Sequence, residues 1–320
     1  MAINGKPRVV IWFVSNDRRF IGNAVNILER QFNGIETVGV TAGQKISVTD
    51  AAGKVLPFIP LNEISLNTEC DVLLVAGAKN FGMSEVVKFA KSINLDTEKL
   101  LGDWIVCIPG FTLDKYRQLQ RSKLSIFAMN CFGGLISNTL GLPFRSPFVN
   151  MFMTEEDYIK FLSKPREYMD KELTFMKNGF EPNLKVEYPI FGLGDVSIHM
   201  NHYHNADEAA ATWNERKKRI NWQNLFVAGY TETPEILSKF DRLKFQKKIC
   251  FIPFRSKLKS ACYINAQLRD NKNWGIAFGL AVNDYGSGRP WYYDPFDMLL
   301  HGKQTPLIDM SLQCGQWTIV

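Results

Sequence analysis

The sequence predicts an α/β protein whose sheets are parallel and carry helices on their faces. Apolar runs of strand length alternate with segments of helical periodicity over roughly the first 110 residues and again after residue 124. The runs are continuous rather than alternating, which is typical of strands buried on both faces of a parallel sheet. The chain has 320 residues, more than the roughly 100–200 of a typical domain, so we expect more than one domain.

The N-terminal region alternates strand and helix signals. Its predicted strands are Arg8–Val14, Ile35–Val40, Asp71–Ala76 and Trp104–Ile108. Apolar residues at helical spacing predict a helix from Phe20 to Phe32, which Gly34 ends, and another from Ser84 to Ile93. Repeated strand–helix–strand succession implies a Rossmann-like parallel sheet of nucleotide-binding type over residues 1–112.

A second α/β domain is predicted over residues 113–254. Its strand signals are Leu124–Met129, Leu225–Val227 and Ile249–Phe254, together with a hairpin of Val186–Phe191 and Val196–Tyr203. Helices are predicted over Leu113–Lys123 and Leu135–Leu140, after the cap Thr154, from Pro165, from the capping box at Asn205 through Ile220, and near Pro234–Phe240. Residues 255–320 have weak periodicity and indicate an irregular or β-rich extension.

Composition and charge exclude several classes of protein. The apolar fraction is 46% and the charged fraction 22%, so disordered and fibrous chains are excluded. No apolar run approaches the roughly 18 residues of a membrane span, and no signal core follows Lys6, so we expect a cytoplasmic protein. The net charge of +6 suits anionic small molecules or peripheral association with an anionic membrane, and is too small for a nucleic-acid binder. Six cysteines without a C-x-x-C pair favour buried thiols over disulfides or zinc.

The first strand-to-helix turn is where a dinucleotide-binding domain carries three glycines that let the backbone approach a pyrophosphate. Here the turn from Val14 to Gly22 has one glycine, and the second strand lacks the acid that holds a ribose hydroxyl. NAD dependence is therefore disfavoured, and the cofactor stays unknown. Ser15, Asp17 and Arg18 are the candidate cofactor contacts of this turn, with a solvated turn as the simpler alternative.

The turn Asn130–Gly134 follows a predicted strand and precedes a predicted helix. Ligands gather at that edge of open α/β sheets, and Gly133 and Gly134 leave backbone N–H groups accessible to an anion or a carbonyl. Cys131 is a candidate nucleophile there, although no base is near it in the sequence, which favours a small buried residue instead.

Three of the four histidines lie in the segment His199–His204. Strand alternation places His202 and His204 on one face, a spacing known among metal ligands, but the sequence offers no third ligand. The ordinary interpretation is that both histidines lie at the edge of the core with their hydrogen bonds satisfied. His202 as a general acid or base is the functional one, and we predict no metal.

The helix after Asn205 carries a buried stripe that includes Trp213, with Arg216 beside it. An arginine in that position needs a carboxylate or phosphate partner, so Arg216 is the best candidate for an anion contact in the second domain. A solvated basic face is the ordinary interpretation of the charged residues on this helix. Asn221 and Trp222 follow directly and extend the same surface.

An ordered set of motifs resembles a bacterial family of domains of unknown function, whose members are commonly labelled exopolysaccharide or capsule biosynthesis proteins. The motifs are Asn130–Gly134, Leu140–Pro147, Glu156–Leu162, Tyr188–Ile190, His202–Tyr203 and Trp213–Trp222. The resemblance covers about Leu124 to Phe254. It implies a role in assembling or decorating surface polysaccharide, and its motif positions coincide with the candidate residues. The catalytic candidates are Asn130, Cys131 and His202, and the candidate substrate contacts are Gly133, Gly134, Trp213, Arg216, Arg219 and Asn221, of which Arg219 enters through the resemblance.

Three functions follow as hypotheses. The first is a transferase-like enzyme of surface-polysaccharide synthesis that acts on a nucleotide-activated sugar or a glycan precursor. The second is a non-catalytic nucleotide- or glycan-binding scaffold, which the degenerate glycine turn favours. The third is an NAD-dependent sugar oxidoreductase.

Overall fold

A computed structural model describes residues 6–14, 25, 29, 34–50, 52–67, 70–77, 83–182, 185–264 and 291–307. The chain divides into two compact units, Met1–Phe111 and Thr112–Val320. Both units combine a four-stranded parallel sheet with helices, so the predicted α/β class is confirmed. No helix within the described ranges is long and apolar enough to cross a membrane.

The first unit is built on a sheet of order β2-β1-β3-β4. Within the described residues its strands are β1 (Arg8–Phe13), β2 (Glu36–Ala42), β3 (Val72–Ala76) and β4 (Leu100–Gly102), and its helices are α1 (Leu61–Asn67), α2 (Met83–Ser92) and α3 (Asp103–Val106). The neighbouring strands pair in parallel. The central strands β1 and β3 are almost wholly buried, as their continuous apolar runs predict.

The predicted strand Trp104–Ile108 is wrong, because this segment begins with helix α3. The strand ends at Gly102, and Asp103 then accepts hydrogen bonds from the N–H groups of Trp104 (3.0 Å) and Gly77 (2.8 Å). Trp104, Ile105 and Val106 are all buried in the helix. A short, continuously apolar run shows no periodicity that distinguishes a buried helix from a buried strand, which explains the error.

The second unit contains a parallel sheet of order β11-β10-β9-β5 and an aromatic core. The strands are β5 (Ser125–Ala128), β9 (Leu225–Tyr230), β10 (Lys247–Ile252) and β11 (Ala261–Tyr263). The helices are α4 (Leu113–Arg121), α5 (Phe132–Thr139), α6 (Glu155–Ser163), α7 (Pro165–Met169), α8 (Ala206–Lys217), α9 (Pro234–Arg242) and α10 (Pro295–His301). Phe127 of β5 packs on Phe148 and Phe161, with ring centroids 4.8 and 5.9 Å away.

A separate antiparallel sheet has the order β6-β7-β8, with β6 at Leu173–Glu181, β7 at Val186–Leu193 and β8 at Val196–His199. The predicted hairpin is therefore confirmed as β7 and β8. Its second strand ends at His199 rather than Tyr203, because the chain turns at Met200, whose carbonyl accepts the Tyr203 N–H at 2.9 Å. Strand β6 gave no clear sequence signal, since most of its residues are exposed and show no apolar alternation.

The described parts of the C-terminal extension contribute β11 and α10 to the second unit. Asp294 caps α10 by accepting the N–H groups of Phe296 (2.8 Å) and Asp297 (3.1 Å). Lys115 of α4 lies 2.9 Å from Asp294 and 2.8 Å from Asp297. This shared lysine fastens α10 to α4.

Candidate functional site

Cys131 and His202 lie together at the carboxyl end of β5. The Sγ atom of Cys131 is 3.2 Å from Nε2 of His202, although the two residues are 71 positions apart in the sequence. Cys131 is half-buried and His202 is exposed, so the pair is open to solvent on one side. A thiol and an imidazole at hydrogen-bond distance form the basic unit of cysteine-based nucleophilic catalysis.

The start of helix α5 fixes Cys131. Strand β5 is fully buried and ends at Ala128, and α5 begins at Phe132, so Cys131 occupies the N-cap position. Asn130 Oδ1 accepts the N–H of Phe132 at 3.1 Å, and the Cys131 carbonyl accepts the N–H of Leu135 at 2.9 Å. No acceptor for Asn130 Nδ2 is found among the described residues.

The turn after β8 fixes His202. The Met200 N–H donates to the Pro189 carbonyl at 3.0 Å, and the Met200 side chain is buried. His199 has a structural role, because it stacks on Phe152 with ring centroids 4.4 Å apart and burial lowers its pKa. His202 and His204 therefore lie beyond the end of the strand, and the predicted strand face that they share does not exist.

Burial raises the pKa of the Cys131 thiol above its ordinary value. The resting thiol is therefore protonated at neutral pH rather than being a thiolate. A proton must leave Sγ before or during attack on an electrophile, and Nε2 of His202 is the nearest base to receive it.

Gly133 and Gly134 occupy the first turn of α5 and are both buried. A Cβ atom at Gly133 would lie 3.2 Å from the Phe148 carbonyl oxygen and 3.3 Å from Ile126, and one at Gly134 would lie 3.0 Å from Val149. The glycines thus allow the helix to approach its neighbours closely. Within the described part of the chain no acceptor is found for their N–H groups, as expected for the first turn of a helix.

Arg216 of α8 connects the two segments around the pair. Its Nη1 atom donates to the Tyr203 hydroxyl at 3.0 Å and lies 3.5 Å from the Val149 carbonyl oxygen, and its guanidinium lies 5.2 Å from the Phe144 ring centroid. The expected carboxylate or phosphate partner is replaced here by a phenol and a carbonyl. Arg216 is thus a positioning residue for the turn that carries His202.

The sequence match covers this whole arrangement. The family described as Domain of unknown function (DUF1919) matches residues 106–297, well over half of the chain. The chain belongs to this family. A protein of Haemophilus influenzae (strain ATCC 51907 / DSM 11121 / KW20 / Rd) is 32% identical over 192 residues, which are 57% of this chain and 84% of the relative. That relative bears only the name "Uncharacterized protein".

Three predicted substrate contacts of the DUF1919 domain lie away from the pair. Trp213 is a core residue, 2% exposed, whose ring packs 5.7 Å from Phe148. Asn221 bonds to Ser125 and to the Lys123 carbonyl, at the opposite end of β5 from Cys131. Arg219 is exposed in the turn after α8. In this structure Trp213 packs in the core, Asn221 anchors the start of strand β5, and Arg219 is exposed to solvent.

The remaining predicted contacts concern cofactors and metals. Ser15, Asp17 and Arg18 lie outside the described residues. Within the described ranges, no group of three or more histidine, cysteine or acidic side chains could hold a metal ion.

Proposed function

We propose that this DUF1919 protein is a group-transfer enzyme that moves an acyl group through Cys131, with His202 as its acid and base. The contact of 3.2 Å between Sγ and Nε2 supports this proposal most directly. The pair also stands where a parallel strand ends and a helix begins, the edge at which open α/β sheets bind ligands. The proposal narrows the hypothesis of a transferase to acyl transfer, a reaction in which a thiolate is an effective nucleophile.

In the first half-reaction, His202 accepts the thiol proton while Sγ attacks the carbonyl carbon of an activated acyl donor. The S–C bond forms as the carbonyl π electrons move onto oxygen. When the carbonyl forms again, the bond to the leaving group breaks, and the leaving group takes the proton from His202. The product is a thioester on Cys131.

In the second half-reaction, a hydroxyl of the acceptor gives its proton to His202 and attacks the thioester carbon. The S–C bond then breaks, and Sγ leaves with the proton that His202 holds. Both halves use His202 alternately as base and acid, so the enzyme returns to its starting protonation state.

The oxygen that becomes negative in each half-reaction needs hydrogen-bond donors. The N–H groups of Gly133 and Gly134 belong to the first turn of α5, two and three residues after Cys131 in the chain, where the helix dipole favours negative charge. The Nδ2 group of Asn130, whose Oδ1 accepts the Phe132 N–H in the same turn, is the third donor that we propose. Such donors contribute about 2.7–4 kcal/mol each to transition-state stabilisation in well-studied enzymes.

The acceptor that we propose is a glycan precursor of a surface polysaccharide. This part of the proposal depends on the label that members of the resembled family commonly carry. A half-exposed thiol suits it, because an acceptor hydroxyl must reach the thioester from solvent.

The test is incubation of the purified chain with acyl thioesters and activated esters of increasing acyl size, followed by intact-mass and peptide mass spectrometry. We expect one acyl adduct on Cys131, which a sugar acceptor discharges. Cys107→Ser is the matched control, since Cys107 is also a half-buried thiol, and it should leave the adduct unchanged. Failure of every donor to label Cys131, with the chain folded, would favour the non-catalytic scaffold.

A further inference from the structure

A basic groove lies at the other edge of the second unit's parallel sheet. It has a volume of about 670 Å³, within the range of about 300–1,000 Å³ that is typical of small-molecule sites. The groove is bounded by the ends of α6 and α9, by α7, and by the residues that lead into β9. Strands β5 and β9 are parallel, so the start of β9 and the Cys131 loop are at opposite edges of the sheet.

The rim of the groove is positively charged. Lys164, Arg166, Arg242 and Lys244 line it together with one acid, Glu167, which gives a net side-chain charge of +3. Helices α6 and α9 end here, and each C-terminus contributes roughly −0.5 of an elementary charge, whereas α7 begins here and its N-terminus contributes roughly +0.5. The helix termini together therefore offset about half a charge and leave an excess of about +2.5.

These four cations differ in whether their side chains already have an ion pair or a hydrogen bond within the protein. Glu167 pairs with Lys164 at 3.1 Å, and Arg242 donates to Ser238 of its own helix at 3.2 Å and 3.1 Å. Arg166 and Lys244 are exposed and have no acid or hydrogen-bond acceptor for their side chains among the described residues. They are the two charges that remain available to a ligand.

The floor of the groove is apolar. Trp222, Leu225, Leu243 and Phe245 line it and are each half-buried. The guanidinium of Arg166 lies over the Trp222 ring, 4.5 Å from its centroid, and Trp222 itself packs edge-on against Phe127 with centroids 5.7 Å apart. This contact holds the Arg166 guanidinium at the rim, and its N–H groups have no hydrogen-bond partner among the described residues.

We infer that this groove is a second binding site, for an organic diphosphate whose charged end meets Arg166 and Lys244 and whose apolar or ring body lies on the floor. Guanidinium and ammonium groups together match a diphosphate, which carries at least two negative charges. The half-buried apolar floor can cover the apolar or ring body of an organic diphosphate, and inorganic pyrophosphate has no such body to bury. The inference does not depend on the thiol chemistry at the opposite edge.

Isothermal titration of the full chain tests it, with uridine diphosphate, geranyl diphosphate and inorganic pyrophosphate as probes at fixed salt. We expect at least one organic diphosphate to bind ten times more tightly than pyrophosphate. The organic probe that binds then distinguishes a nucleotide from an isoprenoid source. Affinity equal to that of pyrophosphate, or no binding of either organic probe at millimolar concentration, would overturn the proposal.

Substitutions locate the site. Arg166→Gln and Lys244→Gln should each weaken binding by about fivefold, which is the loss of one partly screened charge contact. Arg121→Gln is the matched control, because Arg121 is an exposed arginine at the end of α4 and outside the groove. Cys131→Ser should bind the probe normally. Unchanged affinity in both groove variants would place any binding elsewhere and contradict the assignment.

Discussion

The Arg216 guanidinium donates a hydrogen bond of 3.0 Å to the hydroxyl of Tyr203, the residue that directly follows His202. Tyr203 is 8% exposed, so this bond fixes the buried end of the turn that presents the imidazole. Arg216 also approaches the Val149 carbonyl, and a Cβ at Gly134 would touch Val149. One arginine thus connects the segments that carry both members of the thiol–imidazole pair.

Tyr203→Phe should loosen His202 without unfolding the chain. The substitution removes the hydroxyl that accepts from Arg216 and should cost about 1–3 kcal/mol of unfolding free energy, since a half-buried donor loses its partner. We expect acylation of Cys131 to slow by about tenfold and its pH profile to change. A rate and pH profile equal to those of the wild type, despite the loss in stability, would show that Tyr203 and Arg216 support the fold only.

Alkylation of Cys131 by iodoacetamide should depend on pH with a midpoint above that of an ordinary thiol, about 8.5. Burial raises the pKa of this thiol, so the reactive thiolate forms only at higher pH than in a free peptide. The measurement is the alkylation rate from pH 6 to 10, with Cys131 followed by peptide mass spectrometry and a peptide thiol in the same tube. A midpoint below that of the peptide thiol would contradict the protonated resting state.

Gly133→Ala should destabilise the second unit by about 1–3 kcal/mol. The added methyl group would lie 3.2 Å from a backbone oxygen of Phe148 and 3.3 Å from the Ile126 side chain, and backbone cannot yield as a flexible side chain does. Gly43→Ala is the control, because no atom of the described residues lies within 4 Å of its Cβ position, and it should change stability by less than about 0.5 kcal/mol. Thermal unfolding by calorimetry measures both, and equal effects would refute the packing argument.

Glu155→Gln should stabilise the protein at pH 7, because it removes a carboxylate whose ionisation is disfavoured in the folded state. Burial raises the pKa of Glu155, the carboxylates of Glu156 and Glu232 raise it further, and the hydrogen bond from Thr231 opposes them. Because the folded-state pKa is above the unfolded one, the wild type should gain stability as the pH falls through the folded-state pKa, and the variant should gain less. Urea unfolding at pH 7 and pH 5 tests this, and the opposite pH trend would contradict it.

The buried strands could be predicted from the sequence, whereas the pair at the site could not. Continuous apolar runs indicated β1, β3 and β5, and caps such as Thr154 and Asn205 indicated where helices begin, because these signals are local. The contact between Cys131 and His202 depends on how two separate sheets pack. No local pattern in the sequence indicates that two residues 71 positions apart come into contact.

Arg216 and Trp213 show that the sequence does not predict which partner a single side chain contacts. The helical periodicity correctly placed Arg216 beside a buried stripe, yet it could not tell a phenol and a carbonyl from a phosphate as partner. Trp213 was part of a specific motif, but a motif that is shared for packing is indistinguishable in sequence from one shared for binding. The basic groove escaped prediction because its cations come from two segments that are more than 70 residues apart in the sequence.

The rate of Cys131 acylation in His202→Gln tests the central claim most directly. Glutamine keeps a polar side chain in the exposed turn but cannot accept and return a proton at neutral pH. With a saturating acyl thioester and single-turnover mass spectrometry, we expect a rate at least 100-fold below that of the wild type at pH 7, the usual effect of removing a general base. Equal rates in the folded variant would contradict the account, because the imidazole 3.2 Å from Sγ would then have no part in the chemistry.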